Sequence, residues 1–166
     1  MNFTRHWLRK HPDENVLFWT DEWELIDTLE YDGNSGKGLQ WIGLVYADVP
    51  TEHDYLTALE SGTADTEDKI CDIRIRLWWV GNDPIRESGV GTLPPHHMEN
   101  LTRLAPLLSE NDPQQRLMKA EVFRELGFFE DARRLLEWEF PEELFEAVWF
   151  LAQLGIRKDA RVARFP

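Results

Sequence analysis

A short motif occurs twice near the C-terminus and constrains the fold more than any other feature of the chain. It is a Leu-Gly pair followed, after three intervening residues, by Asp-Ala-Arg. The two copies are Leu126-Gly127 with Asp131-Ala132-Arg133 and Leu154-Gly155 with Asp159-Ala160-Arg161. Leu-Gly is typical of a helix C-terminus, and a small Ala shortly afterwards is typical of a second helix packed closely on the first. The motif therefore predicts antiparallel helix pairs.

Helical periodicity extends through the whole C-terminal part of the chain. Breakers and capping residues divide it into four predicted helices, with Asp112 as an N-cap and Gly127 as a stop. The last helix has little polar surface, so it is predicted to be mostly buried. The predicted helices run from about Met98 to Leu108, from Pro113 to Leu126, from Phe129 onward, and from Pro141 to Leu154.

The N-terminal part mixes predicted helices and strands. The predicted ranges are 20–30 and 52–61 for the helices, and 39–46 and 70–80 for the strands. Thr51 is expected to cap the second helix and Gly62 to end it. The strand at 70–80 is the clearest, because apolar and polar residues alternate along it and place Cys71 on the inward side. Residues 81–97 are rich in Gly and Pro and are predicted to form a linker.

These elements predict an α+β fold of two regions. Residues 1–90 are expected to form a small sheet with short helices, and residues 98–166 an all-α region. A sheet of two or three strands needs a cover over its apolar face. The sequence therefore predicts that the sheet packs against a C-terminal antiparallel helical hairpin bundle.

The segment from Gln115 to Trp138 resembles one unit of the tetratricopeptide family, in which two antiparallel helices pack through small and aromatic positions. The matching residues are Ala120, Phe123, Leu126, Gly127, Phe129, Ala132 and Leu136. The chain departs from the family at Arg116 and Lys119, where Trp and Leu are favoured, and at Glu139, where a small residue is expected. The resemblance implies one helical hairpin. It does not imply a peptide-binding groove, since an array needs about three units.

Net charge excludes two classes of partner. The chain carries a net charge of −13, and residues 1–100 contain 8 Lys+Arg against 19 Asp+Glu. A negative field of this size repels phosphate backbones and anionic lipid, so neither nucleic acid nor membrane is expected as a partner. A basic protein partner is the charge-matched alternative.

No motif for a cofactor, metal or catalytic centre is complete. The glycine-rich turn at 33–38 lacks the leading Gly and the Ser/Thr of a phosphate-binding loop. His96 and His97 have no Cys-x-x-Cys to complete a zinc site, and the single Cys71 is predicted to point inward. We therefore expect no cofactor and no metal, and a catalytic function is not the favoured hypothesis.

One set of residues stands out as a candidate binding patch. Trp and Arg are enriched at interface hot spots, and both occur on the polar side of the predicted strand. The patch consists of Arg74, Arg76, Trp78, Asn82 and Asp83. The alternative is that a C-terminal helix covers this side and that Trp78 belongs to the core.

The sequence therefore favours a soluble, cytoplasmic protein that acts through protein–protein contact. Two alternatives come from other classes. One is an acidic inhibitor of a basic protein, of the immunity-protein or antitoxin type, motivated by the charge of the N-terminal part. The other is an enzyme with a cleft between sheet and helices, which would contain titratable groups with shifted pKa values. The oligomeric state does not follow from these patterns.

Overall fold

The computed structural model describes residues 7–22, 47–88 and 93–164, and the chain divides into two compact units, residues 1–65 and 66–166. The division therefore falls before α2 (Glu67–Ser88), earlier than the predicted linker at 81–97. The strand predicted at 39–46 lies outside the described residues. So does most of the helix predicted at 20–30, of which Thr20–Glu22 form a short 3-10 turn.

The N-terminal unit contains a small antiparallel sheet. Strand β1 (Leu8–Lys10) pairs with β2 (Leu17–Trp19), so that Leu8 lies opposite Trp19. The indole of Trp19 is fully buried, and its Nε1 donates a hydrogen bond to the carbonyl oxygen of Thr63 at 2.9 Å. This tryptophan connects the sheet to the end of the following helix.

Helix α1 (Glu52–Ser61) begins and ends where the local sequence predicts. The Thr51 side chain accepts a hydrogen bond from the Asp54 backbone amide, and the Asp54 carboxylate accepts one from the Thr51 amide at 2.9 Å. Gly62 ends the helix in the left-handed conformation, with φ at +78°. The Leu56 side chain of this helix is exposed.

The strand predicted over residues 70–80 is wrong, because α2 (Glu67–Ser88) is a continuous helix that also takes in half of the predicted linker. The apolar residues fit both periods: Ile73, Ile75 and Leu77 alternate as in a strand, whereas Ile73 and Leu77 are four residues apart and Ile75 and Trp78 three, as on buried helix faces. Tertiary packing decides between the two, since β-branched residues are tolerated in a helix that buries them. Gly81 and Pro84 lie inside this helix.

The four helices predicted after residue 98 are all present, with some shifted ends. Their bounds are α3 (Pro95–Leu104), α4 (Pro113–Glu125), α5 (Phe129–Leu136) and α6 (Phe145–Ile156). A 3-10 turn that contains Pro106 follows α3 at Ala105–Leu107, and another precedes α6 at Glu142–Leu144. Asp112 caps α4, with its Oδ1 accepting hydrogen bonds from two backbone amides.

The first copy of the repeated motif joins α4 to α5, and these two helices contact each other. Gly127 adopts φ +82°, and the Phe128 amide donates to the Phe123 carbonyl oxygen at 2.8 Å. Ala120 and Ala132, the small residues of the two helices, are both buried. The predicted end of α4 at the Leu-Gly pair is therefore observed.

The second copy behaves differently. Leu154 and Gly155 lie inside α6, which ends at Ile156, and the residues from Asp159 to Arg161 form no helix. Instead, the backbone carbonyl oxygens of Asp159 and Arg161 accept hydrogen bonds from Nη1 of Arg124. The prediction that this copy opens a further helix is wrong, since here the segment provides acceptors for a buried guanidinium.

The C-terminal unit has an apolar core formed by residues from α2, α3, α4 and the turn that follows α3. Its buried members are Ile75, Trp78, Leu101, Leu104, Ala105, Leu108 and Val122. The described part of the chain is thus mainly helical, with one two-stranded antiparallel sheet. Among these helices, none has the length and apolar character needed to cross a membrane.

Candidate functional site

The most unusual surface of the C-terminal unit is one face of α6. Four residues at spacings of four, three and four lie on one side of the helix: Phe145, Trp149, Ala152 and Ile156. We call them the α6 face. Phe145 is 56% exposed, Trp149 66% and Ile156 74%. The prediction that this helix is mostly buried is therefore wrong, because Leu151 is its only buried residue.

The two ends of α6 carry opposite charge. Glu142, Glu143 and Glu146 lie at its N-terminal end, where negative charge is favourable to the helix dipole. Arg157 and Lys158 follow its C-terminal end. All five side chains are exposed. The apolar face therefore runs from an acidic end to a basic end.

A groove lies beside the α6 face, between α4, α5 and α6. Its volume is about 260 Å³. Its apolar lining includes Phe129, Leu136, Leu151, Ala152 and Ile156. Because Ala152 and Ile156 belong to both the face and the groove, the two form one continuous apolar surface.

A buried polar cluster lies at the C-terminal end of α4. The Glu125 side chain is fully buried, and it accepts a hydrogen bond from Trp78 Nε1 at 2.8 Å and another from Asn82 Nδ2 at 3.2 Å. Arg124 is buried beside it and binds Glu121 through two contacts of 2.7 Å. The cluster thus holds two carboxylates against one guanidinium.

Burial raises the pKa of Glu125 to about 7, and the neighbouring carboxylate of Glu121 adds to the rise. The hydrogen bond from Trp78 and the positive charges of Arg124 and Arg86 oppose it. Among the described residues, Asn82 Oδ1 has no hydrogen-bond partner. A rotated Asn82 amide would present this oxygen to a protonated Glu125, so the pair can accommodate either protonation state.

An open cavity of about 500 Å³ adjoins this cluster. Its lining contains two acidic residues, Glu125 and Asp159, and two basic ones, Lys158 and Arg161, beside the apolar Leu93, Met98 and Val162. The pKa of Asp159 is lowered, chiefly by its hydrogen bonds to the Arg161 side chain. The cavity therefore contains titratable groups whose pKa values are shifted in opposite directions.

The five residues of the predicted patch do not share one exposed surface. Arg74, Trp78 and Asn82 fall at i, i+4 and i+8 on one face of α2, whereas Arg76 and Asp83 lie on another side. Trp78 is 4% exposed and Asn82 is fully buried, so this face belongs to the interior.

The polar members of that set have local partners. Arg74 Nη1 donates to Asn100 Oδ1 at 3.2 Å, and Asn100 donates back to the Arg74 carbonyl oxygen. Arg76 binds Asp72 at 2.7 Å, one turn earlier in α2. Asp83 is exposed, with its Oδ1 3.5 Å from Arg86 Nη1.

The thiol of Cys71 is partly buried on α2. Burial and the neighbouring carboxylates of Asp72 and Asp68 raise its pKa to about 11. At neutral pH it is therefore a thiol and not the nucleophilic thiolate. This agrees with the inward position expected from the sequence, although it arises on a helix.

Sequence reasoning missed the two features that distinguish this unit. The exposed α6 face was missed because an apolar helix is normally buried, although the 4-3-4 spacing of its four residues is visible in the sequence. The pairing of Glu125 with Trp78 was missed because the two are 47 residues apart. Comparison with protein-family models, with curated proteins and with solved structures finds no match to this chain.

Proposed function

We propose that this protein acts by binding another polypeptide chain, and that the α6 face is its contact surface. The observation that carries the proposal is the contiguous exposure of Phe145, Trp149 and Ile156 on one side of one helix. Soluble monomers expose scattered apolar residues, whereas a contiguous apolar patch marks an interaction surface. Tryptophan is also the residue type most enriched among binding hot spots.

The surroundings of the α6 face also support its proposed role as a contact surface. The adjoining groove of about 260 Å³ gives a partner side chain a concave site next to Ala152. Exposed charges at both ends of α6 form a polar rim around the apolar centre, which is the usual arrangement of an interface. The likeness of α4 and α5 to a tetratricopeptide unit is consistent with an interaction role.

Photo-crosslinking of the full chain tests the proposal. In the cells that express the protein, a photoreactive phenylalanine analogue is incorporated in place of Trp149. The matched control carries the analogue in place of Trp79, which is 45% exposed on α2. We expect irradiation to give one discrete adduct from position 149 and none from position 79. A folded chain that gives no discrete adduct from position 149 would contradict the proposal.

A second candidate function rests on the cavity beside Glu125. A buried carboxylate with a pKa near 7 at the wall of a cavity is a typical acid–base or ligand-binding group. Binding of a small organic amine there should raise the melting temperature of the native chain and leave that of Glu125→Gln unchanged. Equal shifts in both proteins across a panel of amines would remove this candidate.

A further inference from the structure

We infer that the α6 face binds a second copy of this chain, with the two α6 helices antiparallel. This inference rests on the proposed function, because it names the occupant of the same surface. Three observations carry it: the polarity of the charges along α6, the spacing of the exposed apolar residues, and the position of the groove beside Ala152.

The charges favour a second copy in one orientation. The acidic group Glu142, Glu143 and Glu146 and the basic group Arg157 and Lys158 lie at opposite ends of a helix about 18 Å long. In an antiparallel pair, the acidic end of each copy faces the basic end of the other. A parallel pair would place like charges together at both ends, which is unfavourable.

The apolar residues are self-complementary in the same orientation. Spacings of four and three residues are those of a coiled-coil seam. A two-fold axis near the middle of α6 places Phe145 of each copy opposite Ile156 of the other, and Trp149 opposite Ala152. This reciprocal relation is the requirement for a two-fold symmetric interface.

The groove gives the tryptophan a site. Ala152 leaves space opposite the Trp149 indole, and Ala152 also lines the groove between α5 and α6. An indole that enters from the facing copy would contact Leu136 and Leu151, two other lining residues. The large side chain of one copy thus meets the small side chain and the concavity of the other, as in knobs-into-holes packing.

The contact is small, so the dimer should be reversible. We expect one helix face and one groove from each copy to bury less than the roughly 1,200 Å² of total area that stable complexes reach. We therefore expect dissociation constants of about 1 to 100 μM, typical of a transient interface.

Sedimentation equilibrium of the purified full chain tests the inference between 1 and 500 μM protein. We expect a monomer–dimer equilibrium that Trp149→Ala weakens about 10- to 100-fold, as for a hot-spot residue. Trp79→Ala is the matched control and should leave the equilibrium unchanged. Circular dichroism confirms that each variant is folded, which the exposure of both side chains favours.

Charge reversal tests the orientation. The variant E143K/E146K makes both ends of α6 basic and should weaken dimerisation. Adding R157E/K158E to this variant exchanges the charges of the two helix ends. Dimerisation should then be restored, because an antiparallel pair again brings opposite charges together. The control E87K/E99K has the same change of net charge on exposed residues elsewhere in the unit and should have the smaller effect.

The outcomes separate this inference from the proposed function. A chain that stays monomeric at 500 μM, or a dimer that Trp149→Ala does not weaken, overturns the inference. If the monomeric chain still crosslinks from position 149 to a different polypeptide, such as a basic protein, the inference falls and the proposed function stands. If neither a dimer nor any adduct from position 149 is found, both fall.

Discussion

At the scale of single residues, the C-terminal unit depends on charges that are removed from water. Arg124 is 1% exposed, and it satisfies the Glu121 carboxylate together with the backbone carbonyl oxygens of Asp159 and Arg161. One side chain therefore connects α4 to the segment that follows α6. Its role depends on geometry as well as charge, because the guanidinium presents donors in several directions.

Replacing Arg124 by Met should therefore be severe. The substitution leaves the buried carboxylate of Glu125 and the partly buried carboxylate of Glu121 without their cation. We expect a loss of about 3–5 kcal/mol in the free energy of unfolding, measured by urea denaturation. Arg103→Met removes an exposed ion pair with Glu99 and should cost less than about 1 kcal/mol. Similar losses in the two variants would contradict the assigned role.

Glu125 should make stability depend on pH. Its pKa is about 7 in the folded chain, above the ordinary value of 4.5, so the folded state binds a proton more tightly than the unfolded state. The free energy of unfolding should therefore fall as the pH rises from about 4.5 through 7, by up to about 3 kcal/mol. The pKa of about 7 is the net result of burial and of the nearby charges: Glu121 raises the pKa of Glu125, and Arg124 and Arg86 lower it.

The variant Glu125→Gln removes this titration while keeping an acceptor for Trp78. Urea denaturation between pH 5 and 8 should give a smaller decrease for the variant than for the native chain. The difference between the two curves is the relevant quantity, because contributions that are common to both proteins cancel in it. Glu130→Gln, on an exposed side chain, is the control and should follow the native curve. A difference that is independent of pH would refute the assignment.

At the scale of elements, the glycine of the repeated motif has a different structural role in each copy. Gly127 has φ +82°, which costs an L-residue about 1 kcal/mol or more, so Gly127→Ala should lower the free energy of unfolding by that amount. Gly155 lies within α6, and an added Cβ would meet nothing within 4 Å. Gly155→Ala should therefore stabilise by about 0.5–1 kcal/mol. Denaturation at low protein concentration measures both, and changes of the same sign would contradict the comparison.

Gly81 belongs to the segment predicted as a linker, yet it lies inside α2. The close packing of α3 on this position gives the reason. A Cβ on Gly81 would lie 2.6 Å from Nδ1 of the buried His97, so glycine permits α2 and α3 to approach closely. We expect Gly81→Ala to cost about 1–3 kcal/mol through overpacking. In a double-mutant cycle, His97→Ala should relieve much of this cost, and additive losses would show that the two residues do not meet.

At the scale of the whole molecule, charge is distributed unevenly between the two units. Residues 1–65 carry 4 Lys+Arg and 13 Asp+Glu, whereas residues 66–166 carry 14 and 18. The proposed contact surface thus lies in the unit that is closer to neutral. Local complementarity at the ends of α6 can therefore act against a weaker background repulsion.

Self-association should also be visible in the stability of the whole chain. A folded dimer stabilises the native state by mass action, so the melting temperature of the native protein should rise with protein concentration. The melting temperature of the Trp149→Ala variant should not rise with protein concentration. Differential scanning calorimetry at several concentrations gives the comparison, and concentration dependence that survives the substitution would point to a different interface.

The sequence alone determined the ends of several elements. The cap of α1 at Thr51, the cap of α4 at Asp112 and the turn at Gly127 were all predicted correctly, because each depends on hydrogen bonds or a backbone conformation within a few residues. Such signals are complete in a short window of sequence.

Tertiary structure alone decided the rest. Residues 70–80 satisfy both the strand period and the helix period, so the choice of helix came from the partners that bury Ile75 and Trp78. The twin motif likewise formed a helix-ending turn only at Gly127, while Asp159 and Arg161 became acceptors for Arg124. The apolar character of α6 was evident in the sequence. Which of its sides stays exposed was not, because exposure depends on which helices pack against it and therefore on contacts between residues far apart in the chain.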